Sequence, residues 1–358
     1  MVRVEDYVLG LDSRKCQIFE REQISRAFLN LKWTKHIQMG CEQTGIGHFR
    51  DISSLDIDDG DQMLILGSYC GSVTVTRYKN LERKKWKKPM QLNLESEPLK
   101  NIKWCPVDLR LFMVSTFKKS LNLCDALNER VLHSGTFDGP VHFDWNSHQT
   151  HPKVAVADGS RTMKIVDFRV GISLPQIVRW DDVPIDMVQW FPSKQNYVYV
   201  GRQDGRIGVF DIRSTRGVLM EKQIHGSKMF GMKITPDGRH LISGDTSGRI
   251  HVADTWDLST KFEFRGFLNP NIVAKQQLEV LAIGKDLFVA TNFEKLTILK
   301  FSKGKLEKNE QSGFLEIAPC ALKDQAIRFR RSSYELIAGH NYNYLNILSL
   351  GVHEDTSN

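Results

Sequence analysis

IDMVQWFPSKQNYVYVGRQDGRIGVFDIRSTRG, residues 185 to 217, is the clearest copy of a unit that the rest of the chain repeats with more damage. Met187, Gln189 and Trp190 lead to a turn at Phe191-Pro192-Ser193-Lys194, and Tyr197, Tyr199 and Val200 open a second β-rich run. Asp204-Gly205 turns the chain again. The third run, Arg206 to Asp211, alternates apolar and polar side chains as a half-buried strand does. Three such strands cannot bury both faces alone, so the unit needs neighbours.

The neighbours are found by following the position that ends the third strand, Asp211 here. Its equivalents are Arg77, Asp125, Asp167, Asp254, Lys300 and Ser349, at successive spacings of 48, 42, 44, 43, 46 and 49. That is close to the period of about 40 to 45 of four-stranded repeat units, and seven units follow. Turn residues recur in register after the first strand, at Asp58 to Asp61, Pro106 to Asp108, Pro192-Ser193 and Pro236 to Gly238. Gly71, Gly205 and Gly248 precede third strands, and Trp104, Trp145 and Trp190 hold one position in units two to four.

Residues 1 to 31 read differently. Ile24, Ala27, Phe28 and Leu31 fall at i, i+3, i+4 and i+7, one apolar stripe of a helix whose first turn carries Glu20 and Glu22. A shorter helical face at Tyr7, Val8 and Leu11 precedes it, so a helix-loop-helix is expected. Composition sets outer bounds: 358 residues, 41% hydrophobic, and no run of about 18 apolar residues to cross a bilayer. The first 15 residues carry an acidic pair where a secretory signal has its apolar stretch, so a soluble intracellular protein without a membrane partner is expected. The six cysteines are far apart, with no CxxC pair, and are expected to be reduced. A net charge of +7 suits an acidic partner and identifies none.

The sequence carries few chemical motifs. No phosphate loop, dinucleotide fingerprint or GxSxG elbow occurs. His148 and His151, near His133 and His142, read as a solvated turn in preference to a zinc set, so no metal, no cofactor and no enzymatic activity are expected. Arg83, Lys84, Lys85, Trp86, Lys87 and Lys88 set an aromatic among cations. That run reads as a solvated outer strand or linker, a nuclear-import signal or a nucleic-acid patch, leaving direct nucleic-acid contact open. Arg328, Arg330 and Arg331 read as a charged turn of the last unit. Arg169 and Arg213 stand two places after a strand-ending aspartate. There a guanidinium offers fixed donors to a partner, or pairs with its own aspartate.

With Cys124-Asp125, Val166-Asp167, Phe210-Asp211 and Ala253-Asp254 in the place of the terminal Trp-Asp dipeptide, the chain resembles WD-repeat β-propellers. No copy keeps the Trp, units one, six and seven lose the Asp, and the preceding Gly-His survives only as a reversed His225-Gly226. The resemblance implies an all-β fold, a seven-bladed propeller over residues 32–350, with residues 1–31 as the helix-loop-helix and 351–358 as a polar tail. The last blade lacks an outer strand after Leu350, which is expected from about Leu31 to His48.

Val166-Asp167-Phe168-Arg169 and Phe210-Asp211-Ile212-Arg213 are similar to the WDxR signature of substrate receptors of cullin-4 type ubiquitin ligases. That resemblance implies a nuclear, non-catalytic receptor docking on the damaged-DNA-binding adaptor subunit. Ile24, Ala27, Phe28 and Leu31 would enter an apolar groove, with Arg169, Asp211 and Arg213 at the rim, and repair and transcription proteins as substrates in transcription-coupled nucleotide excision repair. The alternatives are a damaged-DNA reader of the same class and a general interaction scaffold.

Overall fold

The computed structural model describes residues 32–38, 52–78, 90–94, 97–147, 153–168, 176–180, 182–214, 217–235, 237–264, 280–283, 287–291, 295–302, 305–308, 315–316, 326–330, 335–339 and 344–349. Ile24, Ala27, Phe28, Leu31, the Arg83 to Lys88 run, His148, His151, Arg169 and the 351–358 tail lie outside them. Among the described residues every regular element is a strand.

In chain order, β1 (Lys32–Gln38) stands apart from sheet one, which is β2 (Ile52–Ile57), β3 (Met63–Ser68), β4 (Ser72–Arg77) and β5 (Met90–Asn93). Sheet two is β6 (Leu99–Trp104), β7 (Leu111–Thr116), β8 (Ser120–Asp125) and β9 (Arg130–Thr136). Sheet three is β10 (His142–Trp145), β11 (Lys153–Ala157), β12 (Thr162–Asp167) and β13 (Gln176–Arg179). Sheet four is β14 (Ile185–Trp190), β15 (Tyr197–Arg202), β16 (Arg206–Asp211) and β17 (Val218–Gln223). Sheet five is β18 (Met229–Ile234), β19 (His240–Asp245), β20 (Ile250–Asp254) and β21 (Thr260–Phe264). Sheet six is β22 (Val280–Ile283), β23 (Leu287–Thr291), β24 (Lys295–Ser302) and β25 (Lys305–Lys308), with β26 (Leu315–Glu316) also on β24. Sheet seven is β27 (Ala326–Arg330), β28 (Glu335–Gly339) and β29 (Tyr344–Ser349), with β1 as its outer strand.

All pairings are antiparallel, and the third strands of sheets one to five and seven end on the residues of the sequence register, from Arg77 to Ser349. In sheet six β24 runs two residues past Lys300. β1 pairs with β29 from Lys32 opposite Ser349 to Gln38 opposite Tyr344, so the two ends of the chain meet in one sheet.

In sheets one to five the inner strands are buried on both faces. In sheet four the inner β14, β15 and β16 are largely buried, whereas the outer β17 is mostly exposed. That is why the inner runs are near-continuously apolar and the outer ones polar. Two irregularities recur in register. A bulge falls after the first residue of β2, β6, β14 and β18, and another near the end of the third strand in sheets two, four and five. Bulges at equivalent places add twist and turn each sheet against the next.

The cores lie between sheets. Ile65, Val73, Leu99 and Trp104 join sheets one and two; Met113, Leu121, Phe143 and Val154 join two and three; Met163, Trp180, Trp190 and Phe210 join three and four; Tyr199, Ile207, Met232 and Leu241 join four and five. Leu55, Leu64, Ile337 and Ile347 pack sheet seven on sheet one, and β22 lies against β18 and β27, so the cycle closes.

Near the centre, side chains of the first strands reach across to the next sheet. Asp56 accepts from the Trp104 backbone N–H at 2.8 Å, Asp144 from that of Trp190 at 2.9 Å, and Gln189 from that of Ile234 at 3.0 Å. Lys103 pairs with Asp144 at 2.7 Å and Arg328 with Asp56 at 2.9 Å. Here the sequence reading needs correction. Arg328 and Arg330 are not in a turn: both belong to β27 and tie sheet seven to sheet one. The Arg330 guanidinium lies 3.8 Å from the Tyr78 ring centroid and donates to Glu335 at 3.0 Å, and the Tyr78 hydroxyl donates to the same carboxylate at 2.7 Å. A charged turn and a buried cationic clasp share the same local composition; only the partners about 270 residues away distinguish them.

Candidate functional site

In an antiparallel four-stranded sheet the loop after the first strand and the loop after the third leave by the same edge. On this rim the strand-ending aspartate has one local task. Asp125 Oδ1 accepts the backbone N–H of Leu127 at 2.8 Å, Asp211 Oδ1 that of Arg213 at 3.0 Å, and Asp254 Oδ1 that of Trp256 at 2.8 Å. The aspartate closes a turn on the residue two places on and presents that side chain outward. Leu127 is 71% exposed and Trp256 66%. The turn is common to all three; the presented residue sets the chemistry.

Arg213 folds back on its own aspartate as a two-pronged fork, Nε to Asp211 Oδ1 at 3.0 Å and Nη2 to Oδ2 at 2.6 Å. The Arg213 hydrogen bond is the main cause that holds the Asp211 carboxyl below the usual carboxylate range, and the pairing raises Arg213 in turn. The side chain remains 64% exposed, so the fork fixes the guanidinium without covering it. The structure shows the ion pair with its own aspartate, and the paired guanidinium faces outward.

The structure adds two residues that the sequence reading passed over. Arg110 makes the same fork on Asp108, at 3.1 and 2.9 Å, whereas the Arg239 guanidinium stands 3.8 Å from Asp237, whose carboxylate accepts the Arg239 backbone N–H. Both are exposed and both leave from the loop after a first strand. The signal was present as Asp108-Leu109-Arg110 and Asp237-Gly238-Arg239, but in the other loop. Antiparallel pairing brings the two loops together: Leu111, at the start of β7, lies opposite Asp125, at the end of β8. Val107 and Leu109 are exposed beside them.

A second cluster is buried between sheets four and five. His225 Nδ1 lies 3.2 Å from Asp245 Oδ2, its Nε2 lies 2.7 Å from Ser243 Oγ, and His251 stacks edge-on at 4.5 Å between centroids. Asp245 also accepts from Ser247 Oγ at 2.5 Å and from the Ser247 and Arg249 backbones. Burial opposes the charged Asp245, but the hydrogen bonds from His225 and Ser247 outweigh it and hold the carboxyl far below its usual range. Burial, reinforced by His225, lowers His251. Among the described residues His225, Asp245 and His251 are the one set whose geometry could suit a metal. Both His225 nitrogens and the facing carboxylate oxygen are already engaged within the protein, so a hydrogen-bond network ties the β17–β18 loop to β19, with the His251 ring of β20 packed against it. The reversed His225-Gly226 pair in the sequence marks its place.

Titratable groups also gather on the first strands. His142 is pushed down to about 3 by burial first and then by Lys103 and Lys100, and its Nδ1 accepts from the Val188 backbone N–H at 3.4 Å. Lys100 is lowered to about 8, chiefly by burial. Cys70, Cys105 and Cys124 are free thiols among the described residues. No helix among those residues is long and apolar enough to cross a membrane.

Four-stranded antiparallel sheets packed face to face in a closed cycle define a β-propeller. The chain is similar to the β-propeller domain of Cps50 (Swd1) from Myceliophteria thermophila, with a TM-score of 0.70 and 16% identity over 89% of this chain and 99% of that one. In sequence it is similar to nucleoporin Nup43 of Mus musculus, 27% identical over 156 residues, and of Homo sapiens, 24% over 147. Those stretches cover 42% and 40% of this chain, and the chain spans only 37% and 35% of the length of the two nucleoporins. No protein-family model matches.

Proposed function

We propose that this chain is a seven-bladed, non-enzymatic propeller that holds other proteins through its rim, and that it works in the nucleus. The observation that carries the reading is the rim itself: guanidinium forks at Arg110 and Arg213 and the exposed Arg239 on the same rim, together with outward Leu127 and Trp256. A forked guanidinium uses two of its five N–H donors on its own aspartate and offers the rest at a fixed angle. Exposed aromatic and arginine side chains are those that dominate protein interfaces. The similarity to nucleoporin Nup43 supports a nuclear scaffold.

A finer reading rests on Asp211 to Arg213. The chain would be a substrate receptor of a cullin-4 type ubiquitin ligase, similar to Cockayne syndrome protein A and acting in transcription-coupled nucleotide excision repair. The damaged-DNA-binding adaptor would then meet Ile24, Ala27, Phe28 and Leu31 together with Arg169 and Arg213. The outward fork at Arg213 favours it.

Capture from nuclear extract with the full chain and with Arg213→Glu, Phe28→Glu and Arg110→Glu/Arg239→Glu variants separates these readings. Adaptor and cullin lost on Arg213→Glu and Phe28→Glu support the receptor. Nuclear-pore subunits lost on the rim variants support the scaffold. A set of bound proteins that no rim variant alters would overturn both.

A further inference from the structure

Between sheets four and five, on the same rim, lies a cavity of about 190 Å³. Its floor is Phe191 and Tyr199, its walls include Tyr197 and Leu219, Trp256 stands over its mouth, and Lys194 reaches across the opening. The volume is below the roughly 300–1,000 Å³ of small-molecule sites, so it suits a single side chain of a larger partner.

The pocket is held in shape by hydrogen bonds that do not involve its opening. The Tyr199 hydroxyl donates to the Thr255 carbonyl at 2.7 Å, and the Thr255 hydroxyl donates to the Gly238 carbonyl at 2.6 Å, tying β15 of sheet four to the loop after β20 and that loop to the one after β18. Phe191 stacks on Tyr199 at 5.7 Å between centroids and meets Trp256 at 6.5 Å, inclined by 61°. Asp254 pins the Trp256 backbone, so this indole is 66% exposed on a fixed stem. Leu219 is 51% exposed at the opposite lip. Two large apolar side chains held open to solvent around an apolar cavity are arranged for burial against something else.

Lys194 decides what that is. Its ammonium lies 4.0 Å from the Trp256 ring centroid and 5.4 Å from that of Tyr197. The aromatic faces that would attract an incoming cation are thus already covered by the chain's own cation. Among the described residues Lys194 forms no salt bridge, so its ammonium can still donate to a carboxylate at the mouth. A second cation would be repelled there.

We propose that this pocket takes a bulky apolar side chain of a partner peptide whose neighbouring residue is acidic, the apolar group entering beneath Trp256 and the carboxylate meeting Lys194. The site goes beyond the Arg213 contact, and either can fail without the other.

The test uses the full chain with 15N-labelled tryptophan, the Trp256 indole resonance being assigned from a Trp256→Phe variant. Acetylated Gly-Ser-Phe-Glu-Ser-Gly-amide is titrated beside peptides carrying Ala for Phe or Lys for Glu. The Phe-Glu peptide is expected to shift the Trp256 resonance saturably, with at least tenfold weaker binding of each control. Lys194→Glu is expected to invert the Glu-over-Lys preference, and Arg213→Glu to leave the Phe-over-Ala preference intact. An unmoved Trp256 resonance, equal binding of all three peptides, or an unchanged charge preference in Lys194→Glu would overturn the proposal.

Discussion

Replacing Asp144 with alanine removes a single side chain that joins three sheets. Asp144 Oδ1 accepts from Lys103 of sheet two at 2.7 Å, and Oδ2 accepts from the Trp190 backbone N–H of sheet four at 2.9 Å. Burial pushes the Asp144 carboxyl up, but Lys103, Lys233 and the Trp190 N–H outweigh it and hold the group ionised below its usual range. The variant leaves the Trp190 N–H without an acceptor, a cost of about 1–3 kcal/mol. It also leaves the Lys103 ammonium unpaired. A fully buried orphaned charge costs roughly 3–5 kcal/mol, but the Lys103 side chain keeps 19% of its exposure, so a smaller contribution, about 1–2 kcal/mol, applies here. Together Asp144→Ala is expected to lose about 2–5 kcal/mol, against the roughly 5–15 kcal/mol of a typical folded domain. Asp144→Asn keeps an acceptor for Trp190 and loses only the charge, so about 1–2 kcal/mol is expected. Urea unfolding followed by tryptophan fluorescence measures both, and Lys103→Met combined with Asp144→Ala should cost less than the sum of the two single changes. Asp144→Asn as damaging as Asp144→Ala, or Asp144→Ala within about 0.5 kcal/mol of the parent, would refute the clasp. Because the carboxyl is depressed on folding, its contribution is complete above the ordinary carboxylate range and is lost as pH falls through the folded value.

Three further outcomes are expected. His142 binds a proton in the unfolded chain below about 6.5 but in the fold only near 3, so the parent should lose stability on acidification across that window faster than His142→Asn, by up to about 1.4 kcal/mol per pH unit; parallel pH profiles would count against a buried neutral imidazole. Lys100, lowered to about 8, should reach its limiting rate of acetylation by acetic anhydride just above pH 8, whereas exposed lysines keep accelerating to about pH 10.5, read by peptide mass spectrometry; a Lys100 rate still rising in parallel with the exposed lysines would count against the lowered value. Gly205 and Gly217 both hold φ of +84°, yet a Cβ on Gly205 would lie 2.3 Å from the His225 carbonyl oxygen and one on Gly217 would meet nothing within 4 Å. Gly205→Ala should therefore cost about 2–4 kcal/mol and Gly217→Ala about 1–2 kcal/mol in the same urea assay; equal costs would mean that the contact with His225 relaxes freely.

Much of the fold was legible because its causes are local. Apolar runs separated by Pro, Asp and Gly place the strands, and a side chain that can close a turn on the residue two places on explains why aspartate recurs at Asp125, Asp211 and Asp254. The chain between Asp125 and Asp254 therefore reads almost strand by strand. The rim was legible only in part. Asp-x-Arg after a third strand drew attention to Arg213, while the same three-residue pattern at Asp108 and Asp237 went unread, since nothing in one loop reveals that another lies beside it.

The amino-acid sequence by itself determined the repeat, the strand positions and the turns that present Leu127, Arg213 and Trp256, because each depends on residues a few places apart. Only the tertiary structure decided which arginines face outward and which are buried. Arg213 finds its carboxylate two residues away and stays at the surface, whereas Arg328 finds Asp56 across the closure of the ring. It also decided that Lys194 and Trp256, from different sheets, share one cavity. Charge pairing and apolar contact act over a few ångströms of space, and the separation along the chain between groups so joined becomes visible only once the sheets have packed.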